Sequence, residues 1–431
     1  MFGYNSIRGE FVMAYDRIIF HIDVNSAYLA WEAVYRLQHG ETIDLRNVPS
    51  VVGGNPETRH GIVLAKSIPA KKYKILTGET IIQAVMKCPD LVIVPPRYDR
   101  YIQASAAMVK ILEQYSPKIQ RYSIDEVFLD YTNMECHFGD PVTAAHRIKD
   151  HIKDELGFTV NIGISTNKLL AKMAGDFEKP DKVHTLFPHE IKEKMWPLPV
   201  EELFMCGSKT TPKLRKRGIY TIGDLANTDV SLIRYWLKSH GVMLWNYAHG
   251  REYSNVSSDG MPMKGIGNSC TTPTDLKDIE SMKLYILSLS EMVAMRLRDA
   301  QKCANVLCVS LRDTSFNNYS HQKKMEVATD STMVIYNTAC QLLEKMWKGE
   351  AIRHIGLRAS ELQSNNSYQT SIFYPKLERE RTLDKAVDKI REKYGSMAIM
   401  RTSILGSGLP PVMGGVPSDE ENQFPMMSSI L

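Results

Sequence analysis

Apolar positions along this chain switch between the strand and the helix period, and the switches outline its elements. Arg17–Val24 (RIIFHIDV) is apolar and β-branched, which predicts a buried strand ending in Asp23. Asn25-Ser26 offers a helix start, and Tyr28 to Leu37 (YLAWEAVYRL) keeps the helical period. Val51–Gly54 and Gly61–Ala65 read as short strands joined through Asn55-Pro56. Thr80–Lys87 reads as a short helix closed by Pro89, Leu91–Val94 as a strand, and Tyr98–Tyr115 as a helix stopped by Pro117. Ser123 to Asp130 (SIDEVFLD) is a β-prone hairpin with two adjacent acids inside it. Pro141–Leu156 is an amphipathic helix, Phe158–Ile164 a strand, and Asn167–Ala174 a helix entering the polar loop Asp176–Asp181. The order β-α-β-β-α-β, with excursions, predicts a ferredoxin-like split sheet. In that sheet Asp23 lies beside the hairpin that carries Asp125 and Glu126.

From Leu198 to Gly250 the pattern is helical. Thr211-Pro212 reads as an N-cap with proline at the first helical position, and Thr221-Ile222-Gly223-Asp224 opens another helix after Gly218. With Lys209, Lys213, Arg215, Lys216 and Arg217 alongside, this is either a plain helical hairpin or a helix-hairpin-helix gripping DNA backbone through main-chain N–H groups. Residues 252–263 (EYSNVSSDGMPM) have linker composition. A second α+β module follows, again β-α-β-β-α-β: strand Gly267–Thr272, helix Ile279–Arg298, strands Asn305–Leu311 and Lys324–Ala328, helix Thr332–Trp347 and strand Ile352–Ala359. The tail, 362–431, holds one helix, Leu383–Tyr394, and an apolar island, Tyr368–Tyr374 (YQTSIFY). The island reads as a peptide docked on a partner or as one more strand of the module.

Composition narrows the class. At 431 residues, 43% hydrophobic and 24% charged, the chain is a soluble globular protein of about two to four domains. A net charge of +4 permits a polyanionic partner without demanding one, so the basic groups that matter must be local. Seven scattered cysteines with no C-x-x-C point to a reducing compartment and away from zinc or a disulfide framework. No apolar run approaches the ~18 residues a bilayer span needs. The expectation is a cytoplasmic protein with no membrane partner, in which residues 1–16 are an extension and Met13 is an alternative start.

The acids then decide the chemistry. A buried carboxylate is costly unless it is paired or binds a metal. Alternation sends Asp125 and Glu126 to opposite faces unless a turn falls there, so the alternatives are a hairpin with its acids in water and an oxygen-rich cluster. Such a cluster suits Mg²⁺. Asp130, further down the strand, reads as structural. Lys66, Lys71, Lys72 and Lys74, with Tyr73 among them, read as one helix side, either merely solvated or binding phosphate.

Five stretches occur in a telling order: HIDVNSAYLAWE (21–32), IPAKKYKILTG (68–78), YSIDEVFLD (122–130), GISTNKLLAKMAGDFEKP (163–180) and the Gly207/Gly218 hairpin helices. Over residues 17–361 the chain resembles the Y-family translesion DNA polymerases of the DinB/UmuC type. The D-V-N-S-A-Y wording and the tail lean toward UmuC-like forms of Gram-positive bacteria and their mobile elements. The resemblance implies an α+β multidomain right hand. Its parts are a ferredoxin-like palm (17–41 and 87–180), small fingers (42–86), a helical thumb (181–250), a linker (251–263), an α+β little finger (264–361) and a tail (362–431). It implies low-fidelity, template-directed transfer of nucleotides from dNTPs to a primer 3′-OH on primed DNA. Two Mg²⁺ ions would be held by Asp23, Asp125, Glu126 and the Val24 carbonyl. Tyr28 matches the steric gate against a ribose 2′-OH, and Lys71 and Lys179 match cations that contact the triphosphate. Gly207, Lys209, Lys213 and Gly218 match the thumb's DNA grip. Gln369-Thr370-Ser371-Ile372-Phe373 looks like the peptide that docks bacterial polymerases on the sliding clamp (β clamp), with Gln369, Ser371, Ile372 and Phe373 as its contacts. Some UmuC-like enzymes also need an accessory subunit.

Two departures stand out. The fingers have Ile68-Pro69-Ala70-Lys71-Lys72 where the family often has Tyr-x-Ala-Arg-Lys, so a hydrogen-bond donor is lost and a planar fork becomes a point charge. The thumb has Met205-Cys206-Gly207 in place of Gly-x-Gly. They keep a catalytically silent DNA- and clamp-binding paralogue beside the polymerase reading. A palm-fold nucleotide cyclase would leave the hairpin helices and the second module without a role.

Overall fold

The computed structural model describes residues 17–54, 61–258, 263–365 and 377–409. The N-terminal extension with Met13, and the peptide at 369–373, lie outside the described residues. By contact the chain groups into two units, taken separately below: one within Met1–Val52, Leu64–Leu76 and Cys88–Gly260, the other within Gly53–Val63, Thr77–Lys87 and Met261–Leu431. Among the described residues no helix is long and apolar enough to cross a membrane.

The chain opens with β1 (Ile19–Val24), α1 (Ala27–Gln38), β2 (Ser50–Gly53), β3 (Val63–Lys66), α2 (Ile68–Lys72), α3 (Ile81–Lys87), β4 (Val92–Val94) and α4 (Tyr98–Leu112). It continues through β5 (Ile119–Arg121), β6 (Glu126–Asp130), α5 (Glu135–Phe138), α6 (Pro141–Leu156), β7 (Val160–Ser165), α7 (Lys168–Gly175) and β8 (Val183–Thr185). The main sheet has the order β5-β6-β1-β7-β8. β1 is antiparallel to both neighbours. Each pair of strands joined through helices, β1 with β5 and β6 with β7, is separated by one antiparallel strand. This is the expected split βαβ arrangement, extended by β8 lying parallel to β7.

Alternation along β1 builds the site. Phe20, Ile22 and Val24 enter a core with Trp31 of α1, Tyr101, Met108 and Leu112 of α4, and Ile148 and Ile152 of α6. Ile19, His21 and Asp23 point the other way, toward α7. That helix lies directly on β7: a Cβ on Gly163 would sit 2.0 Å from the Ala171 carbonyl, so only glycine admits the contact. A smaller sheet, β3-β2-β4, carries the basic segment. Here one expectation is corrected. Lys66 ends β3, and its ammonium donates to the Ile75 carbonyl at 2.6 Å. The helix that follows is only Ile68–Lys72, so the four lysines do not line one helix side.

The helical segment contains α8 (Thr211–Arg215), α9 (Ile222–Asn227) and α10 (Val230–Ala248) around buried Leu203, Leu214, Ile219, Leu225 and Leu244. α8 starts one residue earlier than its sequence suggests, with Thr210 as N-cap and Pro212 in the first turn. α9 starts as expected: Thr221 Oγ1 accepts the Asp224 N–H, and Asp224 accepts the Thr221 N–H.

The second unit runs β9 (Gly265–Leu276), α11 (Ile279–Asp299), β10 (Lys302–Asp313), β11 (Asn318–Thr329), α12 (Thr332–Met346), β12 (Ile352–Ser364) and α13 (Leu377–Tyr394). Its element order matches expectation, but its sheet order is β11-β10-β12-β9, so the strand between β9 and β10 is the last one rather than the third. The topology is therefore not that of the first sheet. The tail helix also begins well before Leu383. Its first turns are charged and carry no apolar period, and they dock through ions instead. Arg381 pairs with buried Asp330 at 2.7 Å, and Asp384 accepts the Thr332 N–H at 2.9 Å, capping α12 from outside.

Candidate active site

Asp23 and Glu126 are direct partners across the antiparallel β1–β6 pair, so their side chains share a face. Asp125 joins them because a turn precedes β6: the Tyr122 and Ser123 N–H groups both donate to the Glu126 carbonyl, at 2.9 and 3.2 Å. The Val24 N–H donates to the Asp125 carbonyl at 3.1 Å, tying the turn to the end of β1. The hairpin with both acids pointing into water is thereby excluded. Asp130 stays apart, accepting the Thr132 N–H at 3.1 Å near Lys118.

Among the described residues one oxygen of each acid is engaged and the other takes no hydrogen bond from another residue. Asp23 Oδ2 holds the Lys179 ammonium. Asp125 Oδ1 accepts from Ser123 Oγ at 2.6 Å. Glu126 Oε2 accepts from Lys172 Nζ at 2.6 Å and from His21 Nε2 at 3.3 Å. The electrostatics split the neighbours. Burial, helped by the charges of Asp23 and Glu126, pushes the Asp125 carboxyl up. Burial also acts to raise Glu126, but His21 and Lys172 outweigh it and bring that carboxyl down to about 2.

Among the described residues no group of three or more His, Cys, Asp or Glu side chains is placed to hold a metal ion by itself. The donor chemistry fits a divalent cation nonetheless. Three carboxylates converge, each keeps an open oxygen, and two already hold a lysine ammonium in a cation's place. Mg²⁺ characteristically uses only one or two carboxylates and takes its remaining oxygens from water and substrate phosphates.

Lys179 sits in a loop built to present it. Burial works against its ammonium, but Asp23 and Asp176 more than offset this and its pKa is raised. Asn161, fully buried on β7 opposite Asp23, donates to the Gly175 and Glu178 carbonyls at 3.1 and 2.6 Å. Asn25 donates to Asn161 Oδ1 at 3.0 Å and accepts the Asp181 N–H at 3.0 Å. Tyr28 stacks on Tyr101, centroids 4.7 Å apart, and meets Tyr98 edge-on at 6.0 Å. Burial and the nearby Asp125 charge raise its hydroxyl to about 12. Its ring is therefore fixed, uncharged and close to the acids. Lys71 is exposed on α2.

In the helical segment Lys209, Lys213 and Gly218 are exposed, and Gly207, Ser208, Thr211, Pro212 and Lys216 line an open groove of about 660 Å³. The five-cation cluster divides. Arg215 pairs with Glu201, and Arg217 lies over the Trp236 ring at 4.9 Å, leaving the lysines facing water. Met205 adopts φ 71°, the left-handed conformation that glycine tolerates and methionine does not. Met205→Gly is therefore expected to stabilise the protein by about 0.5–1 kcal/mol. A thermal melt checks this, and a lowered Tm would contradict it.

Sequence reasoning missed His21, Lys172, Asn25 and Asn161 as members of the site. The signal for His21 was a polar ring inside an otherwise apolar strand. For Lys172 it was a cation in the apolar helix LLAKMA.

The impB/mucB/samB family profile matches residues 22–176, and that family's C-terminal domain profile matches residues 263–372. The DNA polymerase IV of Clostridium acetobutylicum is 49% identical over 390 residues, covering 90% of this chain and 98% of that protein. The DNA polymerase IV of Acetivibrio thermocellus is 37% identical over 395 residues, and the DNA polymerase IV 2 of Bacillus subtilis 34% over 401, with 90% and 91% of this chain and 98% and 96% of those proteins covered. Among solved structures, the Y-family DNA polymerase chimera Dbh-Dpo4(243-245)-Dbh superposes with a TM-score of 0.71 at 24% identity, over 81% of this chain and 100% of the other. A Dbh ternary complex gives 0.55 at 23% identity, over 80% and 98%. At those identities the structures speak for the fold alone. The fold is the α+β right hand of the Y-family polymerases, with palm, fingers, thumb and little finger. The chain belongs to the impB/mucB/samB family, the Y-family polymerases, on its DinB-like side. The UmuC leaning of D-V-N-S-A-Y is a minor detail beside these relatives.

Proposed function

We propose that this protein extends DNA primers on a template by nucleotidyl transfer from dNTPs, in low-fidelity synthesis across damaged template. One observation carries the reading: three carboxylates converge at the end of β1, each with an open oxygen, beside an ammonium held on a braced loop. Asp23, Asp125, Glu126 and the Val24 carbonyl would hold two Mg²⁺ ions. When bound, these lower the pKa of the primer hydroxyl and steady the departing pyrophosphate. Lys179 then exchanges Asp23 for the triphosphate, and Lys71 adds a second, unforked positive charge. Primer extension by purified protein with Mg²⁺ and dNTPs tests the reading, and absence of any extended product refutes it. The intact acids leave no observation favouring a silent paralogue.

The hand divides as palm 17–41 and 87–180, fingers 42–86, thumb 181–250, linker 251–263, little finger 264–361 and tail 362–431. Gly207, Lys209, Lys213 and Gly218 grip the DNA backbone through main-chain N–H groups and ammonium charge. A cytoplasmic location, and an accessory subunit as a further partner, complete the proposal.

Tyr28 sets the sugar preference, because its braced ring leaves no room for a ribose 2′-OH. Overpacking costs about 1–3 kcal/mol, so Tyr28→Ala is expected to raise the ratio of ribonucleotide to deoxynucleotide insertion by roughly 10–100-fold. Single-nucleotide insertion kinetics read this, and an unchanged ratio removes the gate assignment. Gln369, Ser371, Ile372 and Phe373 dock the tail on the bacterial sliding clamp, raising effective concentration at the primer. Gln369→Ala/Phe373→Ala should lower clamp pull-down about tenfold or more, and undiminished capture counts against the peptide.

A further inference from the structure

His21 poses a puzzle. It is 0% exposed, in a strand whose other residues are apolar except for Asp23. Its Nδ1 is buried with no hydrogen-bond partner among the described residues. A polar ring in such a place costs stability unless it does something. Its surroundings leave it little freedom. It lies between Phe128 and Gly163 in register, with its ring 4.9 Å from that of Phe128. A Cβ on Gly175 would already come within 3.3 Å of Nδ1. Among the described residues the ring's polar contact is Nε2 to Glu126 Oε2. A carboxylate only accepts, so Nε2 carries the hydrogen. Nε2 is thus the ring nitrogen that donates to the carboxylate, while Nδ1 faces the packed side of the strand.

Lys172 donates to the same oxygen. Its ammonium is also drawn to the Tyr122 and Phe204 rings, each centroid 5.6 Å away. The two donors differ in what an arriving cation does to them. A divalent ion beside Glu126 repels the lysine's positive charge and shares the carboxylate with it. The imidazole is held in place by its strand and by Phe128 and Gly175 rather than by charge, and a carboxylate that binds a cation through one oxygen still accepts a hydrogen bond at the other. Both donors take Oε2, which leaves Oε1 free of either of them.

We infer that His21 is a positioning residue: it anchors Glu126 Oε2 from beneath, so that Oε1 stays aimed at the cation bound beside the primer terminus. This rests on the polymerase reading. Outer partners of metal-binding carboxylates are typically worth about 10–100-fold in metal affinity or activity.

The test uses the full-length protein on primer–template ended with a dideoxynucleotide, so that no turnover occurs. Mn²⁺ binding is titrated by electron paramagnetic resonance for wild type, His21→Leu and His21→Gln. Leucine fills the apolar site without a donor; glutamine places an N–H near the position of Nε2. His21→Leu should weaken Mn²⁺ binding about tenfold. On extendable primer it should lower kcat by a similar factor while KM for dNTP and Kd for DNA stay put. His21→Gln should return to within about threefold of wild type. Wild-type Mn²⁺ affinity in His21→Leu overturns the inference, and so does a folded His21→Gln as weak as the leucine variant. The glutamine arm decides if the leucine protein does not fold. Wild-type protein that binds Mn²⁺ without extending primers would sink the polymerase reading instead, which keeps the two failures distinct.

Discussion

Asp125→Ala should lower the primer-extension kcat by at least about 10³-fold, roughly 4 kcal/mol of transition-state stabilisation, and leave primer–template binding nearly intact. The asymmetry follows from where the residue sits. DNA is proposed to be held by thumb lysines and backbone N–H groups, none of which touches this hairpin. Asp125 meets Asp23 and Glu126 at the end of β1, and its own carboxyl is pushed up by burial and by those two charges. A cation beside it would favour its ionised form, and its loss removes one of the three carboxylates proposed to hold that cation. Asp125→Asn is the sharper variant. It keeps shape and the Ser123 contact but removes the charge, so it should fall almost as far as alanine. Rapid-quench insertion kinetics with a parallel DNA-binding titration separate the two quantities. Wild-type turnover in either variant would remove Asp125 from the machinery. A loss of DNA binding equal to the loss of kcat would mean that the hairpin acts on the duplex rather than on the chemistry.

What the sequence made legible follows from what local pattern controls. β1 and the hairpin announced themselves because burial on both faces leaves continuous apolar runs, and an acid in such a run has to be accounted for. The convergence of three acids followed once strand order was taken from the βαββαβ sequence of elements. The same inference would not hold in the second unit, where an identical order of elements gives the order β11-β10-β12-β9. Periodicity fixes which face of a strand is buried but not which strand lies beside it. His21 and Lys172 were overlooked for another reason. Each is an isolated polar residue in an apolar element, and the contact that explains it, Glu126, lies on another element: the paired strand β6 for His21, and for Lys172 the same strand reached because Gly163 lets α7 lie on the sheet. Lys66 was misplaced because spacing counts residues and cannot see that a strand ends where the count begins.

The tail helix reverses the usual polarity rule, and that sets the second large prediction. On α13, Arg381, Asp384 and Arg391 are buried, while Leu383 and Tyr394 are exposed. Its deepest contact is Glu291 of α11, 4% exposed, which holds both Arg391, also 4% exposed, and Arg401. Nearby, Arg298 reaches Asp388 with two bonds, at 2.5 and 2.9 Å. Ion pairs of this kind contribute little relative to an apolar isostere, but losing one partner strands the other charge away from water, at a cost of about 3–5 kcal/mol. Glu291→Ala should therefore undock α13 while α11 and β10 persist, since Leu289, Val293 and Leu297 still pack in the apolar core of the unit. Hydrogen exchange should show protection lost across 377–394 and kept in 302–313. Replacing the whole set, Glu291→Leu with Arg391→Met and Arg401→Met, should restore much of the protection, because no charge is then left unpaired. If the single variant protects α13 as well as wild type does, the Glu291 pairs are incidental and the helix is held by its other contacts, among them Arg381–Asp330 and Arg298–Asp388. If the triple variant is worse than the single, the pairing is itself the source of stability, and the expectation drawn from desolvation is wrong for this helix.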